Sequence, residues 1–439
     1  MRQSLLLVAG GALLLAGCGS DGWFGEAEDP PLPGERIAVL ALTGALEGDP
    51  EAAQRPMRLP EPASNPDWPQ AGGTPFHAIG HPALGSASTA AWSRSIGAGS
   101  GDGRRILAPP VVAQGRAYTM DAVGSVSAVA LQDGNAIWSV ATRPEGEEDN
   151  SGGGIAFADG RLFATTGYAE ALAIDASSGT IRWRQPLSAP GRGAPAVDGG
   201  RLYVATLDNK THALDIADGS TLWTHDSIEE QTALLGGASP AVAQGTAISA
   251  YSSGEIVALK VENGRELWSD NLTAARRADF IAALADVQAA PVVHDGRLYA
   301  LSNSGRAGAV DMRSGRRVWT KEFGGLHMPW VAGTHLFAVT ERGEVVAAEA
   351  ATGAIRWVMP LARYEDEEDR TGRIDWAGPV LAGGRLVVAG SHGEIVFLDP
   401  ETGAKAGAID VGRPHRLAPV VAAGTLLLLD DDGVLTAYR

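Results

Sequence analysis

The stretch APVVHDGRLYALSNSGRAGAVDMRSGRRVW, Ala290 to Trp319, consists of β-rich runs of four to seven residues parted by "DG", "SG" and "SG". Four short strands joined by three tight turns describe one blade of a β-propeller. Its closing phrase, DMRSGRRVW from Asp311, nearly repeats DASSGTIRW, Asp175 to Trp183. In that phrase Asp311 or Asp175 can fold its carboxylate back onto nearby amides to start a turn, and Gly315 or Gly179 can take the positive φ that ends it. The tryptophan then falls on the fourth strand, where it can fill the wedge between neighbouring sheets. Burying about 200 Å² at about 25 cal/mol per Å² is worth at most about 5 kcal/mol per blade.

Tryptophans stand at 92, 138, 183, 223, 268, 319 and 357, at intervals of 46, 45, 40, 45, 51 and 38 residues. A period near 45 marks a repeat architecture. Six full repeats end at Trp138, Trp183, Trp223, Trp268, Trp319 and Trp357, and a seventh keeps Asp399 and Gly403 but has Gly407 where tryptophan belongs. The chain ends on APVVAAGTLLLLDDDGVLTAYR, three strands without a fourth. The missing strand is available in TAAWSRSI around Trp92. The expected fold is therefore all-β: an eight-bladed β-propeller of four-stranded blades over residues 89–439, closed by an N-terminal strand that leaves no exposed sheet edge.

The 439 residues include 57 glycines and 25 prolines, 45% are apolar and only 20% charged, which describes a turn-rich globular chain. The formal charge of −17, with no basic run, argues against nucleic acid as a partner. Two acidic runs, Glu145–Asp149 and Tyr364–Asp369, read as solvated loops. At the other end Arg2 precedes an apolar run, Leu5 to Ala16, too short to span a bilayer. It leads into LAGC, Leu15 to Cys18, which resembles the lipobox of bacterial lipoproteins. That resemblance implies a signal peptide over 1–17, a lipidated Cys18 and, with Gly19 after it, routing to the outer membrane. Cys18 is also the only cysteine, so the exported body has no disulfide. Residues 18–88 carry many prolines and no clean period, and are expected to form a lipid-anchored tether. Within it Arg36–Leu42 and Asp67–Gly73 look ordered.

The nine histidines show no metal-ligand spacing, and no GxSxG elbow or phosphate-binding glycine loop occurs in the propeller. DDDG at Asp430 fills the slot of ordinary turns in other blades and is read as a turn. The repeat resembles the tryptophan-docked blades of quinoprotein dehydrogenases, which hold pyrroloquinoline quinone against a disulfide of adjacent cysteines. This chain has no cysteine to supply one, so no cofactor is expected.

A nearer resemblance is to the BamB family of outer-membrane assembly lipoproteins. It rests on the lipobox, the proline-rich segment, the AAWSRSIG strand, the eight repeats and DMRSG, with DWPQAGGTPFHAIGH, Asp67 to His81, like the alphaproteobacterial type. The resemblance implies a non-catalytic scaffold that works with other lipoproteins of the assembly complex and binds POTRA domains of a BamA-type barrel protein. The implied contacts lie before and after blade four, at Leu234, Leu235, Asp286 and Gln288. Beside them Phe280, Ile281, Arg276 and Arg277 offer an apolar centre with a charged rim, unless the apolar pair tucks into the blade junction. Asp286 is expected on that rim, outside the core. Fold alone leaves two other classes, a propeller binding a glycan or peptide and a quinone-dependent dehydrogenase.

Overall fold

The computed structural model describes residues 45–101, 103–230, 234, 236–273 and 286–439. Leu46–Arg439 is one unit. Arg36–Leu42 and Cys18 lie outside the described residues.

Eight four-stranded antiparallel sheets follow one another in chain order. Blade one runs Val111–Ala113, Arg116–Met120, Val126–Ala130, Ala136–Val140, and each later blade repeats this plan. Blade eight takes Val420–Ala422, Thr425–Leu429 and Val434–Tyr438 from the C-terminus and Ala90–Ser95 from the front. Ring closure pairs Trp92 with Ala437 and Ser95 with Val434. The first strands are buried apart from their last residues in blades two to five, while the fourth are mostly exposed or half-buried with a tryptophan buried in blades three, five and six, as strands at the rim must be.

The Asp-x3-Gly-x3-Trp phrase joins two blades. Asp311 accepts from the Ser314 amide and hydroxyl, and Asp399 from the amides of Glu401 and Thr402. The glycine has φ of 68–79° at all seven positions, but it is needed for a second reason. A Cβ there would stand 2.5–2.8 Å from the preceding blade's tryptophan, as Gly315 would against Trp268 and Gly179 against Trp138. Each indole lies flat on the next blade's turn and donates its Nε1–H to a carbonyl there. Trp138 reaches Ala176 at 3.1 Å, Trp268 reaches Met312 at 2.8 Å and Trp357 reaches Pro400 at 3.0 Å. Trp92 closes the set on Leu131, at 3.0 Å. The phrase thus encodes both knob and socket, offset by one repeat. Trp268→Ala is expected to cost about 3–5 kcal/mol, read as a shifted midpoint in urea.

Gly407 lacks a tryptophan for a geometric reason. Its socket would lie between the third and fourth strands of blade eight, Val434–Tyr438 and Ala90–Ser95, which no turn connects: Arg439 and Thr89 exchange backbone bonds there instead. Among the described residues no glycine turn stands there to receive an indole. Blade seven compensates by an exchange: the third-strand residue facing the tryptophan is alanine elsewhere, as in Ala309 facing Trp319, but Phe397 faces Gly407. Phe397 is buried beneath the Arg385 guanidinium.

Residues 46–88 are not a free tether, and the expected boundary at 88 is corrected. Asp49 caps a short helix, Pro50–Gln54, against the fourth strand of blade six. From Arg58 onward the chain circles the propeller axis on the face of the "DG" turns. In six consecutive blades it meets the residue two positions before the first turn. Asn65 Nδ2 donates to Val421 O; Trp68 exchanges both backbone bonds with Val112; Pro69 O accepts from Phe157. The Gln70 amide pairs with both Val197 N and O, then Pro75 O and Phe76 O accept from Val242 and Val293. Gly80 and Pro82 complete the circle on Trp330 and Gly383. First strands leave one edge unpaired toward the axis, and this collar satisfies it. Neighbouring blades are rotated, so a regular strand could not follow them; proline-set bends can.

Candidate functional site: the connection face

Segments linking one blade's fourth strand to the next blade's first strand all emerge on the face opposite the collar. Leu234, Asp286 and Gln288 lie there, whereas Leu235, Arg276, Arg277, Phe280 and Ile281 fall outside the described residues. The three described residues have different roles.

Asp286 is only 1% exposed and is no rim residue, which corrects the expectation. Its Oδ1 accepts from Arg192 Nη2 at 2.6 Å and its Oδ2 from the Leu234 amide at 3.0 Å. Arg192 is fully buried and also donates through Nη1 to Asn209 Oδ1 at 3.2 Å. That Asn209 oxygen accepts from Ser252 N and Oγ, and its amide donates to Ile228 O at 2.7 Å. A second brace runs from Val287 N to Tyr251 O. Gly237 makes room for this node: a Cβ there would stand 2.5 Å from Arg192 Nε. The ion pair is shielded from solvent because its ligands come from three converging lead-in segments and two turns. Leu234 is half-buried and Gln288 lies at the lip of the axial channel.

What the face offers a partner is apolar surface beside this node. Ile228 is 59% exposed and Leu207 36%, and their loops are tied together through Asn209. Sequence reasoning missed both, as it missed Arg192. A partial signal for Arg192 existed: GRGAP sets the arginine between two glycines, although the same slot three residues before the proline holds Gln288 in QAAP and Arg416 in RLAP, so the residue type alone does not single it out.

The axial channel is a well of about 420 Å³, floored by Trp68 and Gln70 of the collar and walled by residues such as Ile106, Ala194, Met328 and Pro419. Trp330 and Trp376 line it with Trp68; all three are buried, with Trp68 stacked on Trp330 at 5.9 Å and Trp376 edge-on to His392. Asp430 turns back onto Val434 N, and Arg413 and Arg416 pair with the acids of that turn. Among the described residues no group of three or more His, Cys, Asp or Glu could hold a metal ion, and no helix is long and apolar enough to cross a membrane.

Fold and site together define a tryptophan-docked propeller with a plugged axis and one face of braced connecting loops. The family described as "Outer membrane protein assembly factor BamB" matches residues 122–359. The protein of that name from Salmonella typhimurium is 30% identical over 358 residues, covering 80% of this chain and 88% of that one. This chain belongs to the BamB family. Among solved structures, BamB from Moraxella catarrhalis superposes with a TM-score of 0.68 at 22% identity, covering 80% of this chain and 99% of that one. A quinohaemoprotein alcohol dehydrogenase from Pseudomonas putida gives 0.65 at 14%, covering 85% and 80%. At these identities both likenesses concern the fold alone.

Proposed function

We propose that this protein is a non-catalytic scaffold of the outer-membrane β-barrel assembly machinery, anchored through Cys18 on the periplasmic face and binding the POTRA domains of a BamA-type partner through its connection face. Family membership supports the assembly role. The observation that carries the choice of face is the exposed apolar pair Leu207 and Ile228 beside rigidly braced loops, since interface energy concentrates in a few apolar anchors on ordered supports. The face across the ring is covered near its axis by the collar.

Binding of the full chain to purified POTRA domains tests this reading. Ile228→Asp is expected to lower affinity about thirtyfold, or about 2 kcal/mol. Asp295→Lys, in a solvated turn of the opposite face, is expected to leave it unchanged. Equal effects of the two would reject the face. For the anchor, Cys18→Ala is expected to move the protein from the membrane fraction to the soluble periplasm, because stable attachment needs more than one acyl chain.

A further inference from the structure

We infer that Arg192, which touches no solvent, is the positioning residue for the partner-binding loops before and after blade four. The inference rests on the connection-face reading above. A guanidinium has donors in a fixed fork, so one side chain can hold two acceptors at a set separation. Here one branch holds Asn209, whose own amide fixes the Ile228 carbonyl, and the other holds Asp286, whose far oxygen fixes the Leu234 amide. A single side chain from the lead-in of blade three therefore sets the separation of the loop entering blade four from the segment entering blade five. The carbonyl of Asp286 extends the brace by accepting from Asn303 N at 3.0 Å. Leu234 itself belongs to no strand, and its amide is anchored by this carboxylate. Ligand surfaces on loops depend on such support, because every loop ordered beforehand is one that binding need not order.

Stability and positioning separate in the double variant Arg192→Met with Asp286→Leu. Replacing both members of a buried ion pair by apolar residues of similar volume commonly preserves folding, yet it leaves the Leu234 amide without its acceptor. The expected result is a thermal midpoint within a few degrees of wild type, amide exchange at Leu234–Gly237 accelerated at least tenfold, and affinity for POTRA domains lowered at least tenfold. A double variant that folds and binds like wild type overturns the role of Arg192. If Ile228→Asp weakens binding in that case, the face still stands; if neither variant weakens it, the face falls as well. Should the double variant fail to fold, exchange in the unaltered protein decides: the Leu234 amide must exchange as slowly as that of Val287, and exchange at an open-loop rate overturns the proposal.

Discussion

Deleting residues 46–86 is expected to abolish the cooperative unfolding transition of the propeller, leaving a chain that aggregates or melts over a broad range. The collar supplies backbone partners to the first strands of six consecutive blades and ties down the other two. Each buried backbone group left without a partner costs about 1–3 kcal/mol, and several such losses exceed the 5–15 kcal/mol by which a typical domain is stable. Trp68→Ala is the graded form of the same experiment, at about 3–5 kcal/mol, since Trp68 is 3% exposed and packs in one cluster with blades one, six, seven and eight. Acid should loosen the collar too. His77 is buried with its Nδ1 bonded to Pro291 O at 2.7 Å, and burial pushes its imidazole from 6.5 down to about 4. A depressed histidine value favours the neutral ring in the folded state. Its contribution, about 3 kcal/mol, is present above pH 6.5 and lost as pH falls toward 4. Calorimetry across that window checks it, with His77→Gln flattening the slope. A chain lacking 46–86 that melts with an unchanged midpoint would show the collar to be an ornament on a self-sufficient ring.

The propeller was legible because its signals are local and repeated. Turn aspartate, turn glycine and tryptophan recur within nine residues, and the strand missing from blade eight could be matched to one left over at Trp92. The reason for the glycine was half legible: positive φ follows from the turn, whereas the indole pressed on it comes from another repeat. The collar misled through its prolines, which suit an extended tether equally well. Its charge speaks against a tether, since Asp67 is the only Asp, Glu, Lys or Arg from Ala63 to Ser88, and a solvated linker carries more. The site was least legible. Asp286 and Arg192 are 94 residues apart, and nothing in periodicity reports a pair formed between lead-ins of different blades. An acid in a loop is solvated far more often than buried, so loop position alone puts Asp286 on a rim it does not reach.

That burial changes what Asp286→Ala measures. If the carboxylate faced a partner, its removal would alter affinity and leave folding alone. Because it is the counter-ion of a fully buried guanidinium, removing it strands a charge in the interior and releases the Leu234 amide, so the variant is expected to lose about 3–5 kcal/mol of stability. Gln288→Ala is the internal comparison: it lies two residues on, half-buried in the lining of the well, and carries no charge, so its removal strands no buried ion and its cost is expected to stay below about 2 kcal/mol. Urea midpoints of the two variants at constant slope separate the cases. A stable Asp286→Ala protein would mean that water or a rearranged Asn209 solvates Arg192 after all, and the brace would then be a feature of the rested state alone. An unstable one carries a warning for binding experiments. Weak association by that variant reports a population of partly opened protein, so affinity must be measured well below its own melting temperature before any of the loss is assigned to contact.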